Sequence, residues 1–376
     1  MLVLASAESV VTWLTHWVLP FVAMITPIVF FHELGHFLVA RIFGVGVETF
    51  SIGFGPPIVS WIDRKGTRWK ISWIPLGGYV KFLGDANAAS VPDTEELSRL
   101  TASQRESAFA FKPLYQRALV VLAGPVSNFV LAIVVFAALL LALGSVVLAP
   151  VVARVVPGSP AAKAGIVAGD TIVSINGERI EHFDEIPKFI FDQAGKTVSV
   201  VVERHGRDVL LQAVPQMSTE KELGQRVAIL GIQGPPPGQW RVVHYSLGGA
   251  ISAAAYETWS IVATTLHYLG QVFVGASSPA QLNGPIGIVK ISAAVAAVSW
   301  LELVRLAALI SISVGLINLF PIPVLDGGHL LYYGLEAVLG RPLGARAQDL
   351  GFRLGFAVIL GLLLLATFND LRLNPF

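Results

Sequence analysis

His32-Glu33-Leu34-Gly35-His36 lies inside an apolar run that begins near Trp17 and ends near Val47. In an α-helix, residues i and i+4 share a face, so both imidazoles can bind one Zn²⁺ while Glu33 reaches a water beside the metal. Ionisable side chains are costly at membrane depth, and they usually face a protein interior or a watery cavity where they have a function. Two core histidines and a glutamate that meet by chance are the alternative, but the spacing and the apolar setting favour a hydrolytic zinc site.

The composition indicates an integral membrane protein. Hydrophobic residues make up 54% of the chain and charged residues only 14%, whereas soluble proteins average about 25% charged residues. The formal net charge is +1 and the sequence has no basic stripe, so nucleic acid is not an expected partner. The chain has no cysteine, which excludes disulfides and thiolate ligands and leaves histidine and carboxylate side chains as the zinc ligands.

Four apolar segments approach the length of about 20 residues that a bilayer requires. The first carries the histidines, and no Lys or Arg precedes it, so we expect a retained transmembrane helix and not a cleaved signal peptide. A further apolar stretch, residues 247–274, is interrupted by polar side chains and is predicted to be an amphipathic helix on the membrane surface. The four predicted spans are residues 17–43, 119–143, 301–320 and 354–368.

Basic residues predict the orientation of these spans. They cluster in the loop between the first two spans and in the loop between the last two, and the positive-inside rule places such loops in the cytoplasm. Both termini, and the soluble block between spans two and three, are then expected outside the cytoplasm. The basic residues are Arg64, Lys65, Arg68, Lys70, Lys81, Arg99, Arg105, Lys112 and Arg117 in the first loop, and Arg341, Arg346 and Arg353 in the second.

The soluble block has the pattern of a compact domain of short strands. Residues 151–156 and 197–203 carry β-branched side chains, and Asn176-Gly177 is a hairpin signal. Residues 157–165 followed by residues 169–177 resemble the PDZ domain, in the circularly permuted form found in bacterial membrane-associated proteases. PDZ domains bind an extended peptide at a sheet edge, so this resemblance implies a peptide C-terminus as a ligand. A plain spacer domain is the alternative.

Asp326 is the candidate for the third protein ligand that a catalytic zinc site needs beside an open position for water. It lies in the segment Asn318-Leu319-Phe320-Pro321-Ile322-Pro323-Val324-Leu325-Asp326, just past the third span, where two prolines interrupt the helix. Irregular backbone at membrane depth must pack against protein, so we expect this segment to meet the first helix. The alternative is an interfacial turn in which Asp326 only caps a helix.

Phe31-His32-Glu33-Leu34-Gly35-His36, the segment 318–328 and one PDZ-like domain together resemble the site-2 protease family of intramembrane metalloproteases. The resemblance covers nearly the whole chain. Within the family it is strongest to bacterial proteases that act on the anti-sigma factor of an envelope stress response, although the best known of these carry two PDZ domains in tandem. It implies a polytopic α-helical membrane protein of about four transmembrane helices, with a membrane-associated β-hairpin region and an inserted extracytoplasmic PDZ-like β-rich domain.

The family resemblance also implies individual roles. The β-hairpin region is residues 50–82, and a Gly-x-x-x-Asn element at residues 124–128 is expected to open span two near the active site. One asparagine of the third span is implied to hydrogen-bond the substrate backbone. The implied site comprises the zinc ligands His32, His36 and Asp326, the catalytic base Glu33, and the supporting residues Gly124, Asn128 and Asn318.

The sequence is thus divided into seven segments. They are a first transmembrane helix with the His-Glu-x-x-His motif (1–46), a cytoplasmic-side membrane-associated β region and loop (47–117), a second transmembrane helix (118–147), the PDZ-like domain (148–237) ending in a Pro-rich linker (235–238), a surface helix and connector (238–299), a third transmembrane helix with the Leu-Asp-Gly-Gly motif (300–335), and a cytoplasmic loop with the fourth transmembrane helix (336–376).

The expected activity is hydrolysis of a peptide bond in or near a transmembrane segment of a single-pass membrane protein, such as an anti-sigma factor. The expected location is the bacterial cytoplasmic (inner) membrane, with the active site towards the cytoplasm and the PDZ-like domain in the periplasm. Clearance of remnant signal peptides is the nearest alternative. A non-catalytic scaffold would not need intact zinc ligands, and a transporter would usually show internal repeats and more spans.

Overall fold

The computed structural model describes residues 13–85, 94–180, 182–219, 226–235, 240–275 and 284–373. They form two compact units, one of Met1–Ala138 with Gly248–Phe376 and one of Leu139–Leu247. We refer to the first as the membrane unit and to the second as the β-rich unit. Each unit is described by itself below.

Helices dominate the membrane unit and short strands the β-rich unit. The helices are α1 (Leu19–Ile42, continuing a π-helical turn at Leu14–Val18), α2 (Thr94–Arg99), α3 (Ala102–Ser107), α4 (Leu114–Leu143), α5 (Pro160–Lys163), α6 (Ile186–Ile190), α7 (Leu247–Phe273), α8 (Pro285–Val298), α9 (Trp300–Asn318), α10 (Asp326–Leu339) and α11 (Ala345–Leu373). The strands are β1 (Val47–Ile62), β2 (Arg68–Phe82), β3 (Ser145–Leu148), β4 (Arg154–Val155), β5 (Thr171–Ile175), β6 (Glu178–Arg179), β7 (Val198–Arg204), β8 (Arg207–Ala213), β9 (Gln216–Thr219), β10 (Arg226–Ile229), β11 (Ile232–Gln233) and β12 (Trp240–Val243).

Four helical segments of the described chain are long and apolar enough to cross a membrane, which confirms the predicted number. Much of their surface is Leu, Val and Phe exposed on the outside of the unit, as expected where lipid and not water is the solvent. α7, which was predicted to be amphipathic, is not one of these four segments. The four segments are Leu14–Ile42, Leu114–Leu143, Trp300–Asn318 and Arg346–Leu371.

Small residues bring α4 into close contact with α1 and α9. A Cβ added at Gly35 of α1 would overlap the backbone oxygen of Ala123 in α4, so glycine permits this approach. Hydroxyl groups then join the helices. Ser127 donates to the Phe31 carbonyl over 2.6 Å, and Ser311 of α9 donates to the Asn128 carbonyl over 2.9 Å. The middle of α4 is therefore fixed between the other two helices.

β1 and β2 pair antiparallel as one sheet in which each long strand is bent into two halves. Residues 49–52 of β1 have partners on both sides, in residues 68–71 and in residues 78–81 of β2. Bends fall at Gly53 and Gly77, whose φ angles of 84° and 113° are readily adopted only by glycine. Among the described residues, residues 78–82 have strand partners only in β1, so they form one edge of the sheet.

That edge lies along α1. A Cβ added at Gly78 would be 3.3 Å from Cγ of Glu33, which places the strand beside the motif helix. Aromatic rings hold the sheet there: Phe50 stacks on Trp69 with ring centroids 4.4 Å apart, and both contact Phe37 of α1 edge to face.

The segment predicted as a surface helix and connector, residues 238–299, contains a second helix, α8, after α7. This short apolar helix packs against α1 and α9. Its first turn is capped by Asp370 of α11, whose carboxylate accepts hydrogen bonds from the N–H groups of Gly284 and Gly287, each over 2.9 Å. An acidic group at a helix N-terminus is favourable because the free N–H groups point at it.

Helix bounds also differ from those expected near the motifs. α4 begins at Leu114, so the Gly-x-x-x-Asn element lies well inside this helix and does not open it. α10 runs across the expected boundary at 335 and 336. The prolines end α9 before residue 320, and the chain starts a new helix at Asp326 because an acidic residue favours a helix N-terminus.

The β-rich unit has a four-stranded sheet in the order β6-β5-β7-β8 over a core of Ile and Val side chains. The Asn176-Gly177 turn joins β5 to β6, with φ angles of 51° and 86° that fit a tight hairpin turn. Arg204 is hydrogen-bonded to buried Asp170 and holds the pKa of that carboxyl below its usual range. β3 and β12, near the two ends of the unit, pair with each other and lie almost entirely outside both bounds of the expected domain, residues 148–237. Most of the predicted linker, residues 236–238, lies outside the described residues.

Candidate metal centre

Three side chains of the membrane unit bring one ligand atom each to a common point. Nε2 of His32 lies 3.3 Å from Nε2 of His36, and Oδ2 of Asp326 lies 3.1 Å and 3.5 Å from these two nitrogens. Tetrahedral ligands at about 2.0–2.1 Å from a zinc ion are about 3.3–3.4 Å from one another. The three donor atoms therefore have the spacing of three corners of a zinc tetrahedron, with the fourth corner left for water or substrate.

His36 is oriented by the backbone of α4. Its Nδ1 lies 2.8 Å from the Val120 carbonyl, which can only accept, so Nδ1 carries the proton and Nε2 presents a lone pair. The ring fits because residue 124 is glycine: a Cβ there would overlap the imidazole. Gly124 thus supports the site by providing space.

Asn128 lies beside the second ligand histidine, His32. Its side-chain amide lies 3.2 Å from Nδ1 of His32, and its Oδ1 is buried without a hydrogen-bond partner. Rotating the amide by 180° would let Oδ1 accept the Nδ1 proton of His32 and would satisfy both groups. Nε2 of His32 would then be free to bind metal, as in His36.

Asp326 is the first residue of α10 and not its N-cap, which is Leu325. Its carboxylate points at the histidines, and Oδ2 is buried without a hydrogen bond from any described residue. An unpartnered buried carboxylate oxygen between two bare imidazole nitrogens fits a bound cation, because only a cation satisfies all three acceptors. Gly327 and Gly328 allow this turn, since a Cβ at either would overlap the backbone between Leu319 and Pro323.

A cavity of ≈ 190 Å³ opens beside the three ligand atoms. Glu33 faces this cavity but is not part of the group that could hold the metal, which suits a base and not a ligand. Asn318 also lines this cavity. The sequence-based prediction missed one polar lining residue, His329, although it follows Asp326 by three positions and so shares its helix face. The remaining lining residues are Val80, Phe82, Val121, Val324 and Leu325.

Known proteins match nearly the full length of the chain. The model of peptidase family M50 matches residues 20–362. The chain belongs to peptidase family M50. Metalloprotease MmpA of Caulobacter vibrioides is 41% identical over 374 residues, which cover 93% of this chain and 94% of that protein. A protein of Agrobacterium fabrum that carries the name of a zinc metalloprotease is 41% identical over 363 residues, which are 96% of each chain.

A third relative agrees with this assignment. A Rhizobium meliloti protein, also named for a zinc metalloprotease, is 44% identical over 94% of this chain and 95% of its own length. Among solved structures, the PDZ domain of an SdrC-like protein from Listeria monocytogenes is 24% identical, with a TM-score of 0.20. The match covers 22% of this chain and 84% of the PDZ-domain chain.

As a member of family M50, this chain belongs to the membrane-embedded zinc metalloproteases. Its metal is Zn²⁺. The predicted site-2 protease relationship and the predicted zinc are confirmed by the family match and by the names of the relatives. When bound, the ion supplies a Lewis acid that makes a water acidic and polarises a carbonyl group. His32, His36 and Asp326 are the residues with the geometry to hold it.

Replacing Gly124 by alanine should displace the His36 ring and weaken the metal site. A shift of about 1 Å in a catalytic group can lower activity about 10²-fold, and we expect Gly124→Ala to lose activity to this extent together with bound zinc. Zinc content and cleavage rate of the purified variant are the measurements. Gly361→Ala is the matched control, because this glycine of α11 has open space around it. Parental zinc content and activity in Gly124→Ala would show that α4 does not constrain His36.

Proposed function

We propose that this M50 protein hydrolyses a peptide bond in or near the transmembrane segment of single-pass membrane proteins. The observation that carries the proposal is the convergence of the three ligand atoms with Glu33 in one cavity of the membrane unit. His32, Glu33 and His36 lie in a helix apolar enough to span a bilayer. A substrate held in the membrane is therefore the one that this site can reach.

Glu33 is the proposed proton carrier of the reaction. Its carboxylate takes a proton from the attacking water as the water oxygen bonds to the scissile carbonyl carbon. It then delivers that proton to the leaving amine nitrogen as the C–N bond breaks. Asn318 faces the same cavity and is proposed to hydrogen-bond the substrate backbone there.

The sheet edge at residues 78–82 is the proposed binding surface for an unwound substrate. A peptide bond in a helix has its carbonyl tied to the N–H four residues on, so a transmembrane segment must unwind before attack. Its freed backbone groups then need partners, and a sheet edge supplies them by strand addition. Val80 and Phe82 of this edge line the catalytic cavity. We therefore expect substrates with helix-weakening residues near the cut.

Two substrate classes are compatible with this chemistry. We favour the second cut of an anti-sigma factor-like protein in envelope stress signalling, with clearance of remnant signal peptides as the alternative. The β-rich unit is proposed to act as a PDZ-like module outside the cytoplasm that meets the extracytoplasmic part or the C-terminus of such proteins. The same catalytic site can serve either substrate class.

Reconstituted cleavage tests the proposal. The purified protein is placed in liposomes with a synthetic single-pass reporter peptide whose apolar helix contains a central Gly-Ser pair. We expect the parent to cut the reporter near this pair, to cut an all-Leu/Ala version more slowly, and to lose activity with a zinc chelator. In cells, the Glu33→Gln variant should trap substrates for mass spectrometry. A parent protein that binds zinc but cuts neither the reporter nor any trapped protein would overturn the proposal.

The proposed orientation predicts a labelling pattern. The chain has no native cysteine, so single cysteines report their side of the membrane without background. Exposed positions Ser98 and Ala347 should be shielded from an impermeant maleimide added outside, and Asp208 of the β-rich unit should react. Labelling after permeabilisation is the control that all three sites are reactive. The reverse pattern would place the catalytic side away from the cytoplasm.

A further inference from the structure

The catalytic cavity contains a third histidine, His329, that the proposed reaction leaves without a role. It is half-buried and lines the cavity together with Asp326 and His36. It follows Asp326 by three residues in the first turn of α10. A metal ligand and a second polar side chain thus share one face of one helix.

His329 is not a fourth metal ligand in this geometry. Among the described residues, the ligand atoms that lie within 4.8 Å of one another belong only to His32, His36 and Asp326. Nor is His329 a core histidine satisfied by protein. The structure shows no hydrogen bond from its ring to another described residue, so its ring nitrogens are available to a molecule in the cavity.

The backbone at His329 is held in place by the start of α10. The close packing of Gly327 and Gly328 against residues 319–323 sets the start of α10, and helix geometry then sets His329 relative to Asp326. A donor held rigidly beside the place where charge develops stabilises a transition state without further reorganisation. Rigid placement on the ligand-bearing helix is the arrangement that such a donor needs.

We propose that the ring N–H of His329 donates a hydrogen bond to the carbonyl oxygen of the scissile peptide bond. This inference rests on the proposed function. When the water oxygen bonds to the carbonyl carbon, the π electron pair moves to the carbonyl oxygen, and the bond from His329 strengthens. The pair returns as the C–N bond breaks and the amine accepts its proton from Glu33. His329 keeps its own proton throughout.

Kinetics of two replacements test this role with the liposome reporter. His329→Leu removes the donor at similar size, and His329→Gln keeps an N–H donor. We expect His329→Leu to lower kcat about 10²–10³-fold, as loss of an oxyanion donor does, and His329→Gln to recover part of it. His267→Leu is the control for loss of a histidine elsewhere, since His267 of α7 pairs with Gln271 away from the cavity.

Two binding measurements separate this role from a structural one. Zinc content should equal that of the parent, and the Kd of the uncut reporter, measured in the Glu33→Gln background, should stay unchanged. A phosphinic peptide of the reporter sequence mimics the tetrahedral carbon and its negative oxygen, so its affinity should fall by the same factor as kcat/KM.

Each opposing result has a distinct meaning. Parental kcat in His329→Leu, loss of zinc, or a fall in reporter affinity with unchanged kcat would each overturn the role of His329. The same loss of kcat in His329→Gln as in His329→Leu would overturn hydrogen-bond donation. Failure of the proposed function is distinguishable, because then the parent itself does not cut the reporter.

Discussion

Glu33→Gln is expected to abolish proteolysis, by about 10⁴-fold, while zinc content stays at the parental level. Glutamine keeps the size of the side chain but cannot accept and deliver the proton. The structure is consistent with proton transfer by Glu33 and metal binding by other residues. Glu33 faces the cavity, while the group of ligand atoms comprises His32, His36 and Asp326. Zinc analysis of the purified variant and cleavage of the reporter are the measurements.

Glu302→Gln is the matched control for Glu33→Gln. Glu302 lies exposed in the first turn of α9, so the same change of charge should leave both zinc and activity unaltered. If Glu33→Gln lost zinc as completely as His32→Ala, Glu33 would be a ligand and not the proton carrier. If it kept full activity, the enzymatic assignment itself would be wrong.

Asp326→Ala is expected to remove zinc and activity together. Loss of a residue that only orients a ligand already lowers metal affinity about 10–100-fold, and loss of the ligand itself should exceed that range because two imidazoles alone make a weak site. Asp326→Glu keeps a carboxylate and should retain part of the metal. Zinc affinity by titration with a competing chelator, alongside cleavage rate, measures both effects.

An exposed carboxylate gives the control for Asp326. Asp349→Ala breaks an ion pair with Arg353 on the surface of α11 and should change neither quantity. Stoichiometric zinc at parental affinity in Asp326→Ala would mean that the third ligand is a different residue. The observed convergence of the three ligand atoms would then be a feature of helix packing alone.

The chemistry on α1 could be predicted from sequence because helical periodicity alone brings His32 and His36 together. Asp326 could be predicted in part, since prolines at membrane depth force the segment before it against protein. Gly124 and Asn128 were accessible only through family resemblance. Their roles depend on how closely α4 approaches α1, which no local pattern encodes. The same holds for the zinc-compatible spacing of the three ligand atoms.

His329 and α8 show two further limits. His329 shares a helix face with Asp326, so that signal was available, but the predicted segment 300–335 did not distinguish a second helix, α10, from the third span. The 14 residues of α8 lie in the segment predicted as a surface helix and connector. Its stability as a helix comes from Asp370 and from packing on α1 and α9, which are tertiary contacts. The bends of β1 and β2 likewise leave no trace in the sequence other than Gly53 and Gly77.

The interlocking glycines of α1 and α4 constrain how this protein could be engineered. Exchanging helical glycine for alanine is a standard route to greater stability, because glycine costs about 1 kcal/mol of helix propensity. At Gly334 and Gly361 the surroundings are open and the exchange should be tolerated. At Gly35 and Gly124 it would separate the two helices or displace a metal ligand. Intrinsic helix stability is therefore sacrificed at these two positions, and a thermostable variant would have to be sought elsewhere in the chain.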